Sequence, residues 1–182
     1  MQATAKPETS TTAERTPTKR DVPLVILDAS NVAFGGSGGE RKARLSLLLE
    51  VTSQVPKAGC ELKVVADASL RHRIDDKQAY EGFVRAGFIL QAPAGRSADQ
   101  FIAHLARKRL AEGQKVFLLT NDLLRQMPDL EDLRITFLVV SEQEVLFDPP
   151  LASLRTLAPA TDAPIEPAAP APFTVVSVEP AS

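Results

Sequence analysis

Four aspartates stand where an apolar run ends or the next helix begins. They close Val25-Ile26-Leu27-Asp28 and Val64-Val65-Ala66-Asp67, follow Ser97-Ala98 as Asp99, and end Leu118-Leu119-Thr120-Asn121-Asp122. In an open parallel α/β sheet such positions gather at one edge. A single aspartate after a strand is also an ordinary turn residue that bonds its own backbone, so the recurrence is what points to an acidic cleft. Neighbouring carboxylates repel, and a cation between them relieves the repulsion. Oxygen-only donors suit Mg²⁺ or Mn²⁺. The ligand set predicted here is Asp28 and Asp122 with a third carboxylate, for which Asp99, as a direct or an outer contact, and Glu142 are the candidates, and Asp67, Asn121 and Ser30 stand behind it. A cation so held activates water for attack on phosphorus and stabilises charge on the phosphoryl oxygens. His72, His104 and the lone Cys60 have no zinc-ligand spacing.

The elements that must position these residues follow from periodicity. An apolar run from about residue 23 to Asp28 predicts the first strand, and Gly35-Gly36-Ser37-Gly38-Gly39 follows as a loop without the Gly-Lys-Ser/Thr ending of a P-loop. Residues 40–55 switch to helical period, with Leu45, Leu48, Leu49 and Thr52 on one side and Pro56 and Gly59 as stops. Strands are predicted at 62–66, 88–90, 115–120 and 134–140, with a short strand or turn at 145–147. Residues 68–74 read as a connection, 75–85 as a helix, and Leu123-Leu124 as the start of a short helix ending before Pro128. Ser97-Ala98-Asp99-Gln100 is a capping box that opens another helix, with Phe101, Ile102, Leu105 and Ala106 turned inward.

The 182 residues are 44% hydrophobic, enough for one core plus tails. With 21 basic and 23 acidic side chains the net charge is -2, so an anionic partner must be held by local basic groups. Arg41, Lys42, Arg71, Arg73, Arg96 and Arg125 flank the acidic edge in sequence and are the candidates for phosphate contact. One cysteine excludes an internal disulfide and predicts a reducing, cytoplasmic setting. No apolar run is long enough to span a bilayer. Residues 1–20 have no apolar period, and residues 151–182 carry six prolines and eight alanines. The expected organisation is a tail at 1–20, one domain at 21–149 and an Ala/Pro-rich tail at 150–182, with Phe173 and Val175-Val176-Ser177-Val178 as the candidate for a short binding segment or, on the alternative, part of a tail without a role.

Leu27-Asp28-Ala29-Ser30-Asn31-Val32-Ala33 and Leu119-Thr120-Asn121-Asp122, taken together, resemble the PIN-like ribonucleases, more closely the NYN group and its Zc3h12a-like ribonuclease domain. The resemblance covers roughly residues 23–148. It implies a three-layer α/β domain with a central, mostly parallel sheet that cleaves RNA with a divalent cation. It assigns catalytic roles to Asp28, to its companion Asn31 and to Asp122. Two departures stand out: Asn121 occupies a position that is often acidic in the family, and the acid near the last strand falls around Glu142 or Gln143. The expected function is therefore a metal-dependent endoribonuclease acting on RNA, and the alternative is a weak or inactive RNA-binding adaptor of the same fold. A haloacid dehalogenase-like phosphatase fits less well, because Ser30 stands where that family carries its second aspartate. The reading allows a homodimer and names no protein partner.

Overall fold

A computed structural model describes residues 22–35, 42–93, 95–141 and 144–157. Its centre is β1 (Leu24–Asp28), a strand buried along its whole length. Parallel strands covered on both faces need side chains apolar in both directions, and Leu24-Val25-Ile26-Leu27 supplies them. Val25 and Leu27 join the core beneath α2 (Leu45–Lys57), whereas Leu24 and Ile26 join the core beneath α5 (Ala98–Ala111). The result is three layers with a sheet in the middle.

The sheet has six strands in the order β3-β2-β1-β4-β5-β6, formed by β2 (Glu61–Ala66), β3 (Ile89–Gln91), β4 (Val116–Leu119), β5 (Arg134–Val139) and β6 (Val145–Asp148) around β1. All pairings are parallel except β5 with β6. From β1 the chain builds outward through β2 and β3, then returns to place β4 on the other side of β1. That reversal makes the carboxyl ends of β1 and β4 a topological switch point, the crevice where open α/β sheets bind ligands.

The described packing continues past residue 150. Leu151 lies in a 3-10 turn, Leu151–Ser153, and both it and Leu154 are buried in the α2-side core. Residues 158–182, with the Phe173 to Val178 patch, fall outside the described part, as do residues 1–21.

Three local expectations are corrected and one element is added. Between the first strand and the predicted Gly35–Gly39 loop the chain forms a short helix, α1 (Ala29–Ala33), because the Asp28 carboxylate caps it. Pro56 does not stop α2 but sits inside its last turn, and Leu47, Val51 and Val55 are buried alongside the predicted Leu45, Leu48 and Thr52. The connection at 68–74 contains one helical turn, α3 (Leu70–Arg73), anchored by buried Leu70. Leu123-Leu124 begins no helix. Thr120 Oγ1 accepts the Asp122 amide at 3.2 Å, Asp122 Oδ1 accepts the Leu124 amide at 3.3 Å, and Leu124 adopts a φ of 50°. Side chains that capture nearby amides compete with helix, and regular turns resume only in the 3-10 segment Pro128–Leu133.

α4 (Lys77–Arg85) is capped by Asp76, and α5 by Ser97, whose hydroxyl accepts the Gln100 amide at 3.3 Å. Ser97→Ala should lower stability by about 1 kcal/mol through loss of this cap, read from urea midpoints. An unchanged midpoint would mean that Gln100 finds another acceptor.

Candidate active site

The acidic edge is assembled from three strand ends and one helix start. Asp28 closes β1, Asp67 follows β2, Asp122 follows β4 and Asp99 lies in the first turn of α5. Asp28 is 8% exposed, and its Oδ1 accepts the amides of Ser30 and Asn31 at 3.0 and 3.1 Å. Those two bonds fix the carboxyl group but do not offset its burial. Desolvation first, and then the negative charges of Asp99 and Asp122, lift its pKa from 3.8 to about 6. Asp99 is raised for the same reasons, by burial and then by Asp122 and Asp67. Asp67 is lowered, chiefly by the Ser69 amide that its Oδ1 accepts at 3.0 Å. Asp28, Asp99 and Asp122 thus share one field, while Asp67 has its own local partner.

Two asparagines hold the edge in register. Asn31 Oδ1 accepts the Asn121 amide at 2.8 Å and so ties α1 to the end of β4. The Asn121 carboxamide in turn accepts from Phe137 N and donates to Phe137 O, both at 2.8 Å, which continues the β4–β5 pairing with a side chain. Asn121 is therefore a brace whose amide oxygen and nitrogen are both engaged. Of the residues placed behind the ligands by sequence, Ser30 lies in α1 with its hydroxyl oxygen buried and without a hydrogen-bond partner among the described residues.

The structure divides the predicted basic residues. Lys42 and Arg73 line one cleft together with His72 and Lys77, and the Arg73 guanidinium lies 4.3 Å from the centre of the Phe34 ring at the end of α1. Arg125 lines a different cleft of about 620 Å³ that also contains Asp99 and Asp122. Arg71 is exposed on α3, and Arg96 is exposed close enough to His104 to help depress its pKa behind burial and Lys108. Arg41 and Glu142 lie outside the described residues. Sequence reasoning missed Arg107, whose guanidinium grips Asp129 through two 2.8 Å bonds and forms a neutralised wall of the acidic cleft. It also missed Gln100 and Gln126 on that cleft, because exposed glutamines carry no periodic signal.

Among the described residues no group of three His, Cys, Asp or Glu side chains is placed to hold a metal ion. Asp28, Asp99 and Asp122 are therefore not gathered as a cage by themselves, and the fourth predicted ligand, Glu142, lies outside the described residues. The chemistry of the donors nevertheless fits Mg²⁺, which retains several waters and is commonly held by one or two carboxylates plus substrate phosphate. The raised pKa values of Asp28 and Asp99 mark negative charge that a cation would relieve.

No protein-family model and no curated protein sequence matches the chain. Among solved structures it is similar to nuclear protein-only RNase P 2 of Arabidopsis thaliana, with a TM-score of 0.50 and 15% identity over 70% of this chain. The match spans 30% of that larger chain. No described helix is long and apolar enough to cross a membrane. Sheet order, three layers and structural likeness together give this chain a PIN/NYN-like α/β fold.

Proposed function

We propose that the domain is a divalent-metal-dependent endoribonuclease, of the Zc3h12a-like kind that its two motifs resemble, working in the reducing cytoplasm that a single buried cysteine suits. The observation that carries this reading is Asp28: a buried carboxylate at the sheet's switch point, kept in the field of Asp99 and Asp122. The solved neighbour's name, a ribonuclease, points the same way.

One or two of Asp28, Asp122 and Asp99 would hold Mg²⁺ or Mn²⁺ together with a substrate phosphate, with Glu142 the candidate from beyond the described residues. When bound, the ion supplies an activated water and stabilises charge on the phosphoryl oxygens. The chain's own contribution is positional. The Ser30 and Asn31 amides fix the Asp28 carboxylate, Asn31 fixes the backbone that carries Asp122, and burial keeps Asp28 ready to exchange a proton for a cation. Arg125 at the acidic cleft, and Lys42 and Arg73 in the basic one, offer contacts to phosphates, which position the strand without reading its sequence.

The test is cleavage of labelled single-stranded and structured RNAs by the full chain in Mg²⁺, Mn²⁺ or EDTA, beside Asp28→Asn. Cleavage that needs the metal and disappears in the variant is expected. A second reading, an RNA-binding adaptor, is favoured by Asn121 in place of an acid and by the lack of a three-carboxylate group among the described residues. RNA binding without cleavage in any metal would select it.

A further inference from the structure

We propose that the cleft between the first turn of α5 and the 122–127 loop is a subsite for one unpaired nucleobase of the RNA, beside the acidic centre; the assignment of its ligand as RNA rests on the ribonuclease reading. The cleft measures about 620 Å³, within the size range of small-ligand sites, and Asp99 and Asp122 both line it. A base seated there belongs to a nucleotide whose phosphate is next to the reacting bond.

Its lining suits a base better than a phosphate. Arg107 is neutralised by Asp129, which leaves Arg125 as the one unpaired cation among the lining residues, against the two carboxylates Asp99 and Asp122. Arg125 can meet one backbone phosphate, but among the described residues the lining has no second free cation to hold another. A planar, uncharged heterocycle gains, because Leu123 is 47% exposed at the cleft and Met127 adds apolar surface. The left-handed backbone at Leu124, whose own side chain is buried, turns Leu123 outward and holds the loop in this shape. Gln100 and Gln126 bring carboxamides to the cleft from α5 and from the loop, and Gln126 has no intramolecular hydrogen bond among the described residues. A carboxamide matches the N6/N7 edge of adenine with a donor and an acceptor together, and single-stranded RNA leaves that edge free.

The experiment measures binding rather than turnover. Full-chain Asp28→Asn protein in Mg²⁺ is titrated into fluorescent octamers of A, C and U and followed by anisotropy. Oligo-A is expected to bind more tightly than oligo-U by about fivefold, the lower end of what one bidentate amide–base pair contributes. Adding Gln100→Ala and Gln126→Ala should level the three, and Leu123→Ala should weaken all of them. Equal binding in the parent, no binding at all, or a preference that survives both glutamine changes would overturn the subsite. Wild-type cleavage of the same oligomers separates the two ideas. Cleavage with level binding removes the subsite and keeps the nuclease, whereas base preference without cleavage keeps the subsite and removes the nuclease.

Discussion

Asp28→Asn is expected to make the metal-free protein more stable at neutral pH while it removes cleavage. The carboxylate is buried and repelled by Asp99 and Asp122, so its folded-state pKa is about 6 against an ordinary 3.8. Between roughly pH 4 and pH 6 the folded chain keeps a proton that the unfolded chain has released. Wild-type stability therefore falls as pH rises through that window and stays low above it. A displacement from 3.8 to about 6 corresponds to about 3 kcal/mol. Asparagine escapes this penalty and still caps α1, since it is as good an N-cap as aspartate. Urea midpoints in EDTA should coincide for the two proteins near pH 3 and separate steadily towards pH 7, with the variant higher. Added Mg²⁺ should narrow the gap by stabilising wild type alone. A variant less stable than wild type at pH 8 in EDTA would show that the carboxylate is not under electrostatic strain.

Asn121→Asp tests the opposite idea, that an acid at this position would complete a ligand set. The carboxamide accepts from Phe137 N and donates to Phe137 O, and a carboxylate can do only the first. The change sets a negative oxygen against a carbonyl and adds charge to an edge that already carries Asp28, Asp99 and Asp122. Leaving the Phe137 carbonyl unsatisfied and crowding charge together should cost about 2–4 kcal/mol. The melting temperature should fall by roughly 10 °C. Mg²⁺ should recover only part of this, because the lost donor is not replaced by a cation. If the variant melts at the wild-type temperature and cleaves faster, Asn121 is a replaceable ligand position rather than a brace.

How far the sequence reveals these features depends on the range of the force involved. The buried strand at Val25–Leu27 and the Ser97 cap are local, so apolar runs and capping residues expose them directly. The gathering of Asp28, Asp99 and Asp122 follows from the general geometry of parallel sheets, and it too could be read. The role of Asn121 could not, since its partner Phe137 lies sixteen residues away and only the β4–β5 register brings them together. Leu123-Leu124 misled for a related reason: apolar residues after a strand suggest a helix, but the side chains of Thr120 and Asp122 had already claimed the amides. The burial of Leu151 and Leu154 was hidden by a proline- and alanine-rich composition that describes the segment's average and not its first few residues.

The chain of hydrogen bonds from Asn31 through Asn121 to Phe137 also supplies a remote indicator. The Phe137 amide proton is held by a side chain and not by the neighbouring strand, so its exchange with solvent deuterium reports whether that one carboxamide is in place. A single resolved resonance, at least fifteen residues in sequence from Asp28, Asp99 and Asp122, should therefore lose its protection whenever the α1–β4 junction opens, long before the sheet as a whole unfolds.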